Sequence, residues 1–123
     1  MTRILVADDD QDVRAALRVA LEVEGYEVEA VPNGERAMQA HEKSPADVLI
    51  TDLFMPERDG FETLKYFRAR SPRMHIVVMS GWKSAYKADH LAVALQAGAD
   101  VILGKPFTPG ELLDKLRYYV PRT

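Results

Sequence analysis

The sequence predicts an α/β fold in which helices cover both faces of a parallel sheet. Five short apolar segments alternate with five segments whose apolar residues recur at helical spacing. The strand-like segments are Ile4 to Ala7, Val28 to Val31, Val48 to Thr51, Ile76 to Met79 and Val101 to Leu103. Most of them are continuous apolar runs, which indicates burial on both faces. Such strands, alternating with helices, are typical of a parallel sheet with helices packed on both sides.

Residues that favour helix ends bound each predicted helix. The first helix carries Val13, Ala16, Leu17, Ala20 and Leu21 and ends at Gly25. The second helix begins at Asn33 or Gly34 and ends before Val48, and the third runs from Gly60 to Ser71-Pro72. The fourth runs from about Ser84 to Ala97-Gly98, and the fifth from about Thr108 to Tyr119. Helix therefore follows strand in five successive units.

Composition limits the chain to a few classes of protein. Its 123 residues suit one domain, so we expect residues 1–123 to form a single unit. Hydrophobic residues make up 47% and charged residues 28%, as in globular domains with a packed core. The net charge of -3 argues against direct contact with nucleic acid, which requires a basic face. We therefore expect protein partners and no nucleic acid.

The chain contains no cysteine, which excludes disulfides, thiol nucleophiles and thiolate metal sites. Its opening, MTRILVADDD, has too short an apolar run for a signal peptide or a membrane span. We expect a cytoplasmic location without membrane contact. Because only about four residues follow the last predicted helix, we also expect the output to be made through protein contact.

Polar residues stand at the ends of four predicted strands. They are Asp8, Asp9 and Asp10, then Thr51 and Asp52, then Ser80 and Gly81, and finally Gly104 and Lys105. In an open parallel sheet, ligands bind at the carboxyl edge of the strands, where the strand order reverses. The sequence therefore predicts that these residues meet at one site.

Three carboxylates at one site need a counter-charge. Bringing Asp8, Asp9 and Asp52 within about 4 Å of one another costs on the order of 4 kcal/mol per pair at an effective dielectric constant near 20. Mg²⁺ (or Mn²⁺) offsets such repulsion, because it binds carboxylate oxygens, waters and phosphate together. With no Cys and no suitably placed His, a carboxylate is the best nucleophile. Lys105 adds a positive charge and Ser80 a hydroxyl donor, which suits phosphoryl transfer.

Four segments together resemble the receiver domain of two-component response regulators. They are ILVADDD at 4–10, DVLITDLFMPERDG at 47–60, IVVMSG at 76–81 and GKPFT at 104–108. The resemblance implies a flavodoxin-like (βα)5 doubly wound sandwich with strand order 2-1-3-4-5. It also implies that the protein is not an enzyme acting on a separate substrate, because the only chemistry is the gain and loss of its own phosphoryl group.

The resemblance also implies roles for individual residues. Asp52 would be the phosphoacceptor, Asp9 a direct Mg²⁺ ligand, and Asp8 an acid acting partly through water. The backbone carbonyl of Phe54 would complete the metal site. The resemblance also implies a cis peptide bond between Lys105 and Pro106.

Ser80 and Lys105 would contact the phosphoryl group. A histidine kinase or a histidine phosphotransfer protein would be the donor. The face formed by helix four, strand five and helix five would bind a downstream protein or a second copy of the chain.

One position departs from the family. Typical receivers carry Tyr or Phe three residues before the lysine, where this chain has Ile102. Ile102 has no ring to swing between two positions and is stiff at χ1. A conformational switch is therefore expected to depend on Ser80, and the part taken by Ile102 stays open. A receiver that has lost phosphorylation and acts as a docking scaffold is thus an alternative.

Two further alternatives share parts of the pattern. In haloacid-dehalogenase-like phosphatases, Asp8 would be the nucleophile and Asp10 the general acid. However, Asp12 stands where that motif usually has Thr or Val, and the chain has no room for a cap domain. A flavodoxin-like nucleotide-binding module would need a Gly-rich or Ser/Thr-rich phosphate loop in place of DDDQD. We expect Asp10 to cap the first helix.

Overall fold

A computed structural model of the chain describes residues 1–52, 60–81, 92 and 94–119. The strands are β1 (Arg3–Ala7), β2 (Glu27–Val31), β3 (Val48–Asp52), β4 (His75–Gly81) and β5 (Val101–Lys105). The helices are α1 (Gln11–Val23), α2 (Gly34–Lys43), α3 (Gly60–Arg70), α4 (described at 92 and 94–97) and α5 (Pro109–Tyr119). The predicted start of α4 near Ser84 lies outside the described residues.

The five strands form one parallel sheet in the order β2-β1-β3-β4-β5. This order and the five helices confirm the predicted flavodoxin-like fold class. The observed strands extend past their apolar runs because polar residues at their ends still pair through the backbone. Asp52 pairs with Met79, and Ser80 pairs with Gly104. The sheet therefore reaches into the polar residues of the predicted site.

Helix ends follow the predicted capping residues. The carboxylate of Asp10 accepts hydrogen bonds from the N–H groups of Asp12 and Val13, which confirms it as the N-cap of α1. Asn33 caps α2 in the same way. Gly25 lies directly after the C-cap of α1 with φ of +94°, a left-handed conformation that glycine adopts without a Cβ clash.

Two apolar cores lie on opposite faces of the sheet. The front core lies against α2, α3 and α4, and its residues include Leu5, Leu49, Ile76, Val78, Leu64, Phe67 and Ala94. The back core lies against α1 and α5, and its residues include Ile4, Ile50, Met79, Leu17, Leu21, Leu112 and Leu116. Helices therefore cover both sides of the sheet, as the continuous apolar strands predict.

Alternation along the strands assigns the polar strand ends to one face or the other, because successive side chains of a strand point to opposite faces. On β3, Ile50 belongs to the back core, so Asp52 lies on the back face. On β4, Val78 belongs to the front core, so Ser80 lies on the front face. By the same alternation, Lys105 lies on the back face. The carboxylate of Asp52 and the side chain of Lys105 thus share a face on which Ser80 does not lie.

Among the helices within the described ranges, none is both long enough and apolar enough to span a lipid bilayer.

His41 on α2 is buried and forms two hydrogen bonds. Its Nδ1 accepts the backbone N–H of Ala46 at 3.0 Å, and its Nε2 lies 2.9 Å from the hydroxyl oxygen of Ser71. Because Nδ1 accepts, the neutral ring carries its proton on Nε2 and donates it to Ser71. The histidine is therefore a structural link and not a base that activates the serine. Burial lowers the pKa of His41, and the positive charge of Arg3 lowers it further.

Acidification from about pH 7.5 to about pH 5.5 is expected to destabilise the fold partly through His41. Because burial holds its pKa below the ordinary value of 6.5, the unfolded state binds more protons in this range. The stabilisation is complete above about pH 6.5 and is lost as the pH falls toward the folded-state pKa. Urea unfolding of wild type and H41N tests this, since Asn keeps an acceptor for Ala46 but does not titrate. The same acid-induced loss of unfolding free energy in both proteins would contradict the assignment.

Candidate functional site

Two carboxylates follow neighbouring strands at the carboxyl edge of the sheet. Ala7 of β1 pairs with Thr51 of β3, so the next residues, Asp8 and Asp52, reach the edge at the same level. The N–H of Asp8 also donates to a β2 carbonyl at 3.1 Å, which extends the strand pairing by one residue. One carboxylate oxygen from each of Asp8, Asp9 and Asp52 lies within 4.8 Å of the others. The structure therefore brings together the three acids that the sequence predicts to meet.

Lys105 bridges two of these acids. Its Nζ donates to Oδ2 of Asp8 and to Oδ2 of Asp52, each at 2.7 Å. Asp8 is fully buried, and only 10% of the Asp52 side chain is exposed, so both carboxylates are shielded from water. Burial alone would lower the pKa of Lys105, but its hydrogen bonds to Asp52 and Asp8 and their negative charges outweigh it and raise the pKa. Lys105 is therefore charged at neutral pH and offsets one negative charge of the cluster.

Asp8 has a hydrogen-bond partner at every polar atom. Its N–H extends the pairing with β2, and Lys105 binds its Oδ2. The backbone N–H of Asp10 donates to its Oδ1 at 2.9 Å. A guanidinium N–H of Arg14 donates to its carbonyl oxygen at 2.8 Å. Because a buried charge is tolerated only when it is paired and hydrogen-bonded, these contacts explain how a fully buried carboxylate is stable here.

The two following acids differ from Asp8. Asp9 is exposed, and within the described ranges its carboxylate forms no hydrogen bond or ion pair. Asp10 is also exposed, but its carboxylate caps α1 and does not belong to the acidic cluster. Asp9 therefore has a carboxylate that a ligand can engage, whereas that of Asp10 is occupied by the helix.

Ser80 lies beside this cluster on β4. The residue before it, Met79, pairs with Asp52, and Ser80 itself is 1% exposed. Its Oγ has no hydrogen-bond partner among the described residues. Leaving a buried polar group unsatisfied costs about 1–3 kcal/mol, so this hydroxyl does not stabilise the resting fold. It can instead donate to a group that arrives at the site.

The other predicted site residues lie around this edge or outside the described ranges. Ile102 on β5 is half-buried and packs against the front core, on the same face as Ser80. The Lys105–Pro106 peptide bond is cis, the isomer that the resemblance implies. Phe54, whose carbonyl is predicted to bind the metal, lies outside the described residues.

The donor set suits a hard divalent cation. Carboxylate oxygens are the ligands that Mg²⁺ prefers, and oxygens bound to one Mg²⁺ at about 2.1 Å lie at most about 4.2 Å apart. The three oxygens of Asp8, Asp9 and Asp52 lie within 4.8 Å of one another, which is close to this separation. Lys105 binds two of the same carboxylates, so an ion bound there would compete with the ammonium for them.

Comparison with protein families agrees with this geometry. Residues 4–117 match the model of the response regulator receiver domain. The chain belongs to this family. Receiver domains act in two-component signalling, typically without enzymatic activity on other molecules, and they imply a histidine kinase as partner.

Individual relatives give the same result. Response regulator MprA of Mycobacterium ulcerans (strain Agy99) is 37% identical over 121 residues, covering 98% of this chain and 51% of that protein. The CheY-like receiver domain protein of Methanospirillum hungatei JF-1 superposes with a TM-score of 0.89 at 29% identity, covering 97% of this chain and 93% of that one.

The chemotaxis response regulator CheY4 of Vibrio cholerae superposes with a TM-score of 0.87 at 31% identity, covering 98% of this chain and 99% of that one. The receiver described here spans about half the length of the curated relatives it matches.

Family membership separates the alternatives that the sequence leaves open. A haloacid-dehalogenase-like phosphatase would need Asp10 as a general acid, but in this receiver Asp10 caps α1. A nucleotide-binding module would need a phosphate loop after β1, where the acidic cluster lies instead. The docking scaffold remains, because it is itself a receiver.

Sequence reasoning missed two contacts of the receiver site. Neither the backbone N–H of Asp10 nor the side chain of Arg14 was expected to contact Asp8. Arg14 carries no motif signal, because a basic residue on a helix surface is usually solvent-exposed. Only the fold shows that its side chain turns back onto Asp8, the residue after β1.

Replacing Ser80 with Ala is expected to leave the free energy of unfolding unchanged or to raise it by about 1 kcal/mol, because the substitution removes a buried hydroxyl without a partner. Thr51 is a matched control, since its equally buried hydroxyl donates to the carbonyl of Asp52 at 3.1 Å. T51V should therefore lower the free energy of unfolding by about 1 kcal/mol. Urea unfolding measures both changes, and a destabilised S80A would mean that the Ser80 hydroxyl has a partner in the resting protein.

Proposed function

We propose that this receiver accepts a phosphoryl group on Asp52 and passes the change to a protein partner. The donor would be a histidine kinase or a histidine phosphotransfer protein, and the exchange would take place in the cytoplasm. A phosphorus–oxygen bond forms at the Asp52 carboxylate while the phosphorus–nitrogen bond of the donor phosphohistidine breaks, and the donor imidazole takes up a proton. The observation that supports this most directly is the shared contact of Asp52 and Asp8 with Lys105, beside Asp9.

The metal site of the proposal consists of the three clustered acids and the backbone carbonyl of Phe54. Mg²⁺ (or Mn²⁺) bound there would neutralise charge on the phosphoryl oxygens during transfer. Asp8 is fixed before the ion arrives, because all of its polar atoms are hydrogen-bonded. Asp9 is exposed and supplies the carboxylate that is open to solvent. The site is thus partly rigid and partly accessible.

Lys105 has two successive roles in this proposal. Before transfer, its ammonium keeps the carboxylates of Asp8 and Asp52 close together at 2.7 Å from Nζ. After transfer, the same ammonium pairs with an oxygen of the phosphoryl group on Asp52. Its raised pKa supports both roles, because the side chain stays charged throughout the neutral range.

Ser80 provides the second contact to the phosphoryl group. Its buried hydroxyl lacks a partner in the described residues, so a donated hydrogen bond to a phosphoryl oxygen would satisfy it. Since Ser80 lies on the front face with Ile102, a movement of Ser80 would first displace residues of the front core. Signal transmission by this route does not need an aromatic ring at position 102.

The proposed output surface is formed by α4, β5 and α5. Two large apolar side chains on it are solvent-exposed, Leu95 at 53% and Tyr118 at 81%. Both side chains are accessible to a protein that binds this surface. A downstream protein or a second copy of the chain would bind this surface.

Labelling with a small phosphoryl donor such as acetyl phosphate tests the proposed acceptor. In the presence of Mg²⁺ the wild type should gain one phosphoryl group, and D52N should gain none because its amide is not a nucleophile. D10N is the matched control: Asn caps helices as well as Asp does, so this variant should be labelled like the wild type. Intact-protein mass spectrometry counts the added groups.

Two outcomes would contradict the proposal. Label that persists in D52N would place the acceptor elsewhere. No label in the folded wild type, with no response of the single tryptophan, Trp82, to Mg²⁺ and beryllofluoride, would favour the docking scaffold.

Replacing Lys105 with Met is expected to strengthen Mg²⁺ binding by at least about tenfold. The ammonium competes for the carboxylates of Asp8 and Asp52, and a unit charge about 4 Å away disfavours a bound divalent cation by roughly 2–8 kcal/mol. Without metal, K105M should be less stable than the wild type, because Asp8 stays buried with one partner fewer. Titration calorimetry measures the affinity, and urea unfolding in EDTA measures the stability.

K115M is the control for this experiment. Lys115 is exposed on α5, so the variant loses the same charge away from the acids and should keep the wild-type affinity. Unchanged or weaker Mg²⁺ binding by K105M would show that the ammonium does not compete with the ion.

A further inference from the structure

Arg14 is the basic residue that reaches the acidic turn from α1. Its guanidinium donates to the carbonyl oxygen of Asp8 at 2.8 Å, while its backbone N–H donates to the carbonyl of Asp10 in the first turn of the helix. The contact is local in sequence but joins a helix to the end of a strand. Arg14 is half-buried, so its hydrogen bond is partly shielded from competing water.

The direction of the Asp8 carbonyl determines where the next residue lies. This carbonyl belongs to the peptide unit that joins Asp8 to Asp9, and this unit is planar. The direction of the carbonyl therefore sets the position of the Asp9 Cα relative to Asp8. By holding this carbonyl, Arg14 fixes the peptide that connects two acids of the cluster.

Asp9 depends on this peptide more than Asp8 does. Asp8 is buried and hydrogen-bonded at both carboxylate oxygens, so its own side chain is held independently of Arg14. Asp9 is exposed, and in the portion of the chain that is described nothing binds its carboxylate. With no described contact to hold its carboxylate, the placement of Asp9 near Asp52 depends on where the backbone puts its Cα.

Arg14 also differs from Lys105 in what it contacts. Lys105 binds the carboxylate oxygens that a cation would need, whereas the described hydrogen bond of the Arg14 side chain goes to a backbone oxygen. Arg14 can therefore order the turn without occupying a ligand position.

We propose that Arg14 is a positioning residue of the divalent-cation site, which it supports by fixing the peptide between Asp8 and Asp9. The inference rests on the proposed function, because it assumes that these acids bind a divalent cation. It assigns to α1 a role in shaping the site in addition to covering the back core.

The two possible effects of Arg14 have opposite signs in a binding experiment. If Arg14 acted only through its positive charge, its removal would strengthen Mg²⁺ binding, as removal of any nearby cation does. If it positions the acids, its removal weakens binding. Loss of a group that orients metal ligands typically reduces affinity by about 10- to 100-fold.

The experiment compares R14M with R18M by titration calorimetry with MgCl₂. Arg18 lies one turn further along α1 and donates to the carbonyl of Val28 on β2 at 3.2 Å, so it makes the same kind of contact away from the acids. We expect R14M to bind Mg²⁺ at least about tenfold more weakly than the wild type, and R18M to bind within about twofold of it. Urea unfolding in EDTA reports how much stability each variant loses. R14K, which restores a charged donor, should recover part of the affinity.

The outcomes are distinct. R14M that is folded and binds Mg²⁺ as tightly as the wild type, or more tightly, overturns the proposal for Arg14 while the proposed function stands. Equal weakening in R14M and R18M also overturns it, because the effect would then be one of general stability. Wild type that binds no Mg²⁺ overturns the cation site and the role of Arg14 together. If R14M is largely unfolded, the same titrations are run in sucrose, which favours the folded state.

Discussion

The hydrogen bonds from Lys105 to Asp8 and Asp52 are the contact on which the carboxyl edge of the sheet depends. They join the ends of three strands through residues that are 97 and 53 positions apart in sequence. Two shielded carboxylates repel each other, and without the ammonium the buried one would lack a compensating charge. The order of β1, β3 and β5 in the sheet places these three side chains together, so the topology and the electrostatics of the site require each other.

Because side chains alternate along each strand, the residues of the site lie on both faces of the sheet. Asp52 and Lys105 lie over the back core, while Ser80 and Ile102 lie over the front core. A group bound to Asp52 that also engaged Ser80 would link the two layers. In the proposed function, one layer would thus hold the phosphoryl group and the other would respond to it, which does not require an aromatic ring at position 102.

Much of this arrangement is readable in the sequence, and the reasons for what is not are physical. Buried strands show as continuous apolar runs, and the cap at Asp10 follows from its place before a helical repeat. Strand ends such as Ser80 are harder to predict, because backbone pairing continues through polar residues. The bridging of two acids by Lys105 and the turn of Arg14 onto Asp8 depend on distances in the folded chain. His41, which shows no ligand spacing in the sequence, proves to be a buried structural link.

The ammonium of Lys105 at the acidic cluster would also affect which cations a site there selects from a mixed solution. A sodium or potassium ion brings no more charge than the ammonium it would displace from Asp8 and Asp52, so the exchange gains no Coulomb energy. An ion of charge two gains roughly twice the attraction at the same distance. In the proposed cation site, a tethered monovalent cation would therefore set a selectivity threshold, because alkali ions would gain nothing by displacing it whereas a divalent ion would.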